Sequence, residues 1–277
     1  LSRMNSTVKA VDNYLENYKI PEACKALESF VDDMSNWYVR RGRERYWAQD
    51  MTDDKISAYL TLYTALVTTA KASAPMIPFM AEDIYRNLVC NVDKNAPESV
   101  HLCDFPVCDD NAIDTKLEED MKEVLDIVVM GRAARNNASL KNRQPLATMY
   151  VKAASELSET YLEIIRDELN IKNVEFVSDM SAFSSYSFKP QLKTVGPKYG
   201  KFLGKIRTIL TELDGNKAKA ELDTNGALKF DIDGNEIVLT EEDLLIEIKQ
   251  KENYCSLSDR NTTVALDTTL TKEEKSD

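Results

Sequence analysis

The run Ser35-Asn36-Trp37-Tyr38-Val39-Arg40-Arg41-Gly42-Arg43-Glu44-Arg45-Tyr46-Trp47 sets the reading of the whole chain. It holds both tryptophans and four arginines of a protein whose formal charge is −12. Arginine forks pair with phosphates and stack on bases, and aromatic rings stack on unpaired bases, so the mixture fits a surface for single-stranded RNA. It also fits a helix crossing a core. Wound as an α-helix at about 100° per residue, Phe30, Met34, Trp37 and Tyr38 share one face, which Arg41 and Arg45 continue. On that line the arginine stems pack along a core edge and their heads meet carboxylates. Arg40, Arg43 and Trp47 lie together on the neighbouring flank, where RNA contact fits better. Chemistry alone leaves that flank open between RNA contact and a solvated, salt-bridged face, with the latter slightly ahead.

Outside this run, 277 residues suffice for two compact domains or one large one. No apolar stretch approaches the roughly 20 residues that span a bilayer, and the start carries no signal-peptide pattern. Leu1 is not an initiator methionine, and the chain reads as a piece of a longer protein. Five scattered cysteines suggest free thiols in a reducing compartment. His101, Cys103 and Cys108 lack a second Cys/His pair at ligand spacing, so no metal site is expected. The acidic balance disfavours indiscriminate nucleic-acid binding but allows local basic sites, at Arg40 to Arg45, Arg132 to Arg143 and Lys189 to Arg207.

Apolar periodicity predicts a helical first part. Val8, Val11, Leu15 and Tyr18 mark one helix, Pro21 opens a second, and Ile56, Leu60, Tyr63, Val67 and Ala70 make the core stripe of a third. A fourth runs from about Pro78 to Cys90, and residues 91–114 read as a long surface connection. Leu117, Met121, Val124, Leu125 and Val128 face the core in a fifth helix, and Arg132, Arg135 and Ser139 continue their line. That basic end reads equally as a helix leaving the core with its C-terminal dipole satisfied or as an RNA-backbone contact helped by Lys141 and Arg143. Gln144-Pro145 closes the helix, which sets the expected domains at 1–145 and 146–277.

Beyond the boundary, Met149 to Val151 and Val174 to Val177 read as strands around a helix from about Glu156 to Leu169. Asn225-Gly226 and Asp233-Gly234 separate the runs Ala220–Leu222, Leu228–Ile232 and Ile237–Leu239, which predicts an antiparallel meander. Another helix is expected from Thr240, and a truncated helix from Thr271. Gly196, Gly200 and Gly204 recur every fourth residue among lysines, consistent with a helix that another element approaches closely. The fold class is therefore a mainly α helical bundle followed by a smaller α/β domain.

No nucleophile elbow, metalloprotease helix, P-loop or paired Cys-x-x-Cys occurs, and His101 is the sole histidine. Several short motifs nevertheless resemble one family in its order. Asn36 to Arg41 with Arg43, Arg45 and Tyr46-Trp47 is similar to the anticodon-domain signature of isoleucyl-tRNA synthetases. So are Ala74 to Tyr85, Glu98 to Leu102, Gly131 to Arg135, Lys141 to Leu146, Glu168 to Lys172 and Val264 to Leu270, which spread the resemblance over nearly the whole chain. The family's two nucleotide-site signatures are absent.

The resemblance implies a C-terminal piece of a cytoplasmic synthetase that binds the anticodon arm of tRNA-Ile and itself lacks catalytic and editing sites. ATP and Mg would be used by the parent and no cofactor by this piece. Its partners would be tRNA-Ile and the parent's N-terminal catalytic and editing domains, with no membrane. Arg40, Arg43 and Trp47 are the first candidates for tRNA contact, followed by Arg132, Arg135, Lys141 and Arg143; Trp37 reads as core. The alternatives are a non-catalytic interaction module and the corresponding region of a valyl- or leucyl-tRNA synthetase.

Overall fold

Ser2–Glu16 forms α1 and Ile20–Asp33 forms α2, with Pro21 in the first turn of α2, where its missing N–H costs nothing. The computed structural model describes residues 1–259 and 262–269. The two helices bury Val11, Ala23 and Leu27 against Ala72. Tyr18, placed on the core stripe by spacing, instead sits in the turn between them at φ 57° and is 90 % exposed. Beyond α2 the chain winds one π turn, Met34–Val39, and resumes as the short α3, Arg43–Trp47.

Asp53–Ser73 is α4, capped by the Thr52 side chain, which accepts from the Lys55 N–H. Its expected core stripe is corrected: Ile56, Leu60 and Tyr63 are exposed, while Ala58, Ala65 and Ala72 are buried. Alanines seven residues apart form a seam that lets neighbouring helices approach closely, and it turns the bulkier stripe outward. Pro78–Tyr85 is α5, continued by a π turn over Arg86–Cys90. The long connection that follows is stitched down. The Glu82 carboxylate accepts from Ser99 Oγ and Val100 N at 2.9 Å each, and buried Tyr85 donates to Pro97 O at 3.0 Å.

Thr115–Asn137 is α6, whose buried face runs Val124, Ile127, Val128, Gly131, Ala134 and Arg135. The chain divides into two compact units, Leu1–Glu119 and Asp120–Asp277. The division therefore falls inside α6 rather than at residue 145, although the chain does pass from helix to strand there. The physical reason is that α6 packs its later turns within the second unit. A Cβ on Gly131 would lie 2.4 Å from Leu169 Cδ1, so the helix is close against that residue. Glu123 also accepts from Thr262 Oγ1 at 3.1 Å.

The second unit is mixed. Leu146–Lys152 (β1), Glu159–Leu169 (α7) and Ile171–Phe176 (β2) form the expected strand–helix–strand, with β1 and β2 parallel. Ser184–Pro190 is β3, followed by Leu192–Tyr199 (α8), Leu203–Glu212 (α9) and Gly215–Asn225 (α10). The hairpin of Ala227–Ile232 (β4) and Asn235–Thr240 (β5) leads to Leu244–Gln250 (β6), Tyr254–Ser258 (β7) and Thr263–Asp267 (β8). The main sheet has the order β2-β1-β8-β7, and β3 pairs with β6 as a separate antiparallel ribbon.

Three expectations fail in this unit. Ala220–Leu222 lies in α10, because Asn225-Gly226 acts as a helix stop: Gly226 takes the left-handed cap at φ 73°. Only Asp233-Gly234, at φ 55° and 82°, makes the two-residue hairpin turn. The helix expected from Thr240 is a single 3-10 turn, after which Leu244–Gln250 pairs with β3. Gly196, Gly200 and Gly204 admit no close neighbour; a Cβ at each would meet nothing within 4 Å. The truncated helix expected from Thr271 lies outside the described residues.

The turn after Thr240 is closed by Asp243, whose buried carboxylate accepts from Thr240 N (3.2 Å) and Lys198 Nζ (2.9 Å). Burial pushes the Asp243 pKa up, but Lys198 and the local donors outweigh it and hold the carboxyl below its usual range. A group with a depressed folded pKa stabilises above its unfolded value, about 3.9, and loses that contribution as pH falls through the folded value. Asp243→Asn is expected to unfold at lower urea concentration than wild type at pH 7, with the difference shrinking below about pH 4. Gly131→Ala is expected to destabilise the chain by about 1–3 kcal/mol through overpacking, partly relieved by Leu169→Ala in a double-mutant cycle measured by urea unfolding.

Candidate nucleic-acid interface

In the first unit the candidate residues sit where α2 runs out. The projection over Ser35–Trp47 assumed an unbroken α-helix. The π turn over Met34–Val39 and the break at Gly42 interrupt it, so phase is not carried from Trp37 to Trp47. At Gly42 an added Cβ would sit 2.8 Å from Tyr38 O and 3.3 Å from the Tyr46 ring, so the turn into α3 leaves little room for a side chain.

Within α3, Arg43 and Trp47 are one helical turn apart, and the guanidinium carbon lies 5.0 Å from the indole centroid. Trp47 is 73 % exposed, and Arg43 makes no ion pair among the described residues. Arg40 is exposed on the preceding helical segment and donates from Nε to Asn36 O at 2.7 Å. Trp37 is half-buried.

Arg45 is committed elsewhere. Its Nε and Nη2 donate to the two carboxylate oxygens of Asp54 at 2.8 and 2.7 Å, a bidentate pair that raises the guanidinium pKa and lowers that of Asp54. This is the salt-bridged role that its position on the core-edge line suggested. Tyr46 packs edge-on to Tyr59 at 5.1 Å, and burial, helped by Tyr38, pushes its phenol pKa up, so the ring stays neutral at physiological pH.

In the second unit the structure separates the four basic candidates. Arg135 is fully buried, which corrects its place among the tRNA contacts. Its Nη1 donates to Lys141 O (2.9 Å), and its Nη2 to Gln144 O and Asn170 O (both 3.0 Å). Burial lowers its pKa, although a guanidinium keeps its charge in proteins. Arg132 is half-buried and paired with Glu168, whose side chain is almost wholly buried. Lys141 and Arg143 are exposed on the turn that follows α6 and make no ion pair among the described residues.

Asn170, at φ 49° just past α7, was not singled out by sequence. Its amide donates to Asn142 O (3.2 Å) and Arg143 O (2.9 Å), while its own carbonyl accepts from Leu146 N (3.1 Å). An asparagine between a helix and a strand is the residue type that tolerates this left-handed geometry, and that was the available signal. Among the described residues no group of three or more His, Cys, Asp or Glu side chains is arranged to hold a metal ion. Nor is any helix long and apolar enough to cross a membrane.

Arg135→Met would strip charged donors from three inward-facing carbonyls. It is expected to cost about 2–4 kcal/mol in urea unfolding, with little recovery in Arg135→Lys, whose point-like ammonium cannot span all three acceptors.

Comparison with known proteins agrees with this geometry. Residues 1–151 match the family described as the anticodon-binding domain of tRNA ligase. The isoleucine–tRNA ligase of Clostridium acetobutylicum is 46 % identical over 273 residues, 99 % of this chain and 26 % of the relative. That of Clostridium tetani is 44 % identical over 275 residues, and an isoleucine–tRNA ligase 2 of Bacillus cereus is 39 % identical over 276 residues, again covering 99 % and 26 %. The chain thus spans about a quarter of the length of the curated relatives it matches. With the match to the anticodon-binding family covering more than half of its residues, the chain belongs to the anticodon-binding domains of tRNA ligases.

Proposed function

We propose that this chain is the tRNA-holding part of an isoleucine–tRNA ligase and that it grips the anticodon arm of tRNA-Ile. The observation that carries this reading is the Arg43–Trp47 stack: a cation over a largely exposed indole, on a chain of charge −12. An exposed aromatic face can stack on an unpaired base whatever the base's identity. The adjacent guanidinium remains available for a phosphate or a base edge.

Arg40 contributes positive charge one turn earlier, and Lys141 and Arg143 supply further backbone contacts. Arg132 and Arg135 are not offered as contacts, since one is paired with Glu168 and the other is enclosed. No residue of this chain is assigned a catalytic role. Adenylate formation with ATP and Mg, transfer to tRNA and editing would belong to the remainder of a cytoplasmic parent enzyme, and this chain would fix the far end of the tRNA while that chemistry proceeds.

The test is a titration of the chain with tRNA-Ile and tRNA-Val transcripts at low and moderate salt. Preferential, salt-sensitive binding of tRNA-Ile is expected. Arg43→Ala combined with Trp47→Ala should weaken it about 10- to 100-fold, the scale of losing a stacked base and a phosphate contact. Unchanged affinity in a variant that keeps its circular dichroism and melting temperature would overturn the assignment.

A further inference from the structure

Surface loops ordinarily leave their carbonyls to water. The loop from Lys141 to Gln144 does not. Four consecutive carbonyls are caught: Lys141 O and Gln144 O by Arg135, Asn142 O and Arg143 O by the Asn170 amide. Gln144 closes the loop on itself, its N–H donating to Lys141 O (3.0 Å) and its Oε1 accepting from Lys141 N (3.1 Å). With the backbone tied from the inside, the side chains of Lys141, Asn142 and Arg143 are the exposed part.

The charges reinforce this geometry. Arg132 is neutralised by Glu168, but no carboxylate among the described residues meets Arg135. The stretch from Ala133 to Arg143 contains no Asp or Glu. A buried, unneutralised guanidinium therefore lies directly beneath two exposed cations, and a low-dielectric interior extends its field to the surface.

We propose that the 141–143 loop is a preformed seat for the phosphates of an RNA backbone, and that Arg135 and Asn170 are its positioning residues. Arg135 holds the loop and charges it from below. Asn170 fixes the two carbonyls between the basic side chains, so Lys141 and Arg143 are presented at a set separation rather than searching for one. This rests on the reading of the chain as a tRNA-binding protein and adds to it a defined element and two residues that never touch the ligand. Their contribution is preorganisation: the ordering cost is met during folding rather than on binding.

Asn170 is exposed, and glycine keeps its left-handed backbone, so Asn170→Gly removes the tether with little risk to the fold. Four forms of the full chain would be titrated with tRNA-Ile transcript by fluorescence anisotropy between 50 and 200 mM salt: unaltered, Asn170→Gly, Lys141→Ala/Arg143→Ala, and all three changes together. The charge variant should bind more weakly, with a slope of log Kd against log salt reduced by about 1–2. Asn170→Gly alone should weaken binding about 3- to 10-fold, the cost of ordering freed side chains, and should add nothing in the charge-variant background.

A merely structural asparagine would lower the melting temperature alike in both backgrounds and leave affinity unmoved. That result, or an equal loss of affinity in both backgrounds, overturns the proposal. If Arg43→Ala/Trp47→Ala loses affinity while the loop variants do not, only the loop proposal falls. If the unaltered chain fails to bind tRNA at all, this proposal falls together with the functional reading.

Discussion

The guanidinium of Arg135 is the constraint on which the mixed unit turns. One planar group with several donors reaches the end of α6, the loop after it and the junction of α7 with β2. A lysine could not do this, because a point-like ammonium has no fork to span three carbonyls in different directions. The desolvation of a buried cation is met here by oriented carbonyl dipoles rather than by a carboxylate. That choice leaves the local charge positive. Glu168 performs the opposite service one helical turn away, where it cancels Arg132.

This arrangement gathers three sequence motifs that lie apart along the chain. Gly131 to Arg135, Lys141 to Leu146 and Glu168 to Lys172 read in sequence as separate signatures. In space they are a close-packed helix contact at Gly131 and Leu169, an ion pair, a buried guanidinium and an asparagine tether. Nothing in the local composition of Asn170 announces that role, since its partners lie 28 and 27 residues away.

The legible parts of the fold were those governed by local rules. Pro21, Pro145 and Asp233-Gly234 each fix a backbone geometry that needs no distant partner, and the helix between two strands from 146 to 176 followed from pattern alone. Errors arose where a tertiary neighbour decided. Ile56, Leu60 and Tyr63 have the right spacing for a core face, but the alanines of α4 pack instead, because small side chains allow closer approach. Asn225-Gly226 offers the same left-handed glycine to a hairpin and to a helix cap, and only what precedes it chooses. At the interface, exposed Arg43 and Trp47 and committed Arg45 were separable by helix face, whereas the enclosure of Arg135 was not, since its line runs unbroken from apolar to basic.

The π turn at Met34–Val39 has a bearing on how this surface tolerates insertions and deletions. A π turn holds one residue more than the α turn it replaces, and each residue of an α-helix advances the azimuth by about 100°. Losing one residue there would let the helix rewind into regular geometry while swinging everything downstream around the axis. The indole of Trp47 would then face another direction with every side chain of α3 intact. The address of the stack is written in residue count, so length variation in this segment would be more damaging than most single substitutions within it.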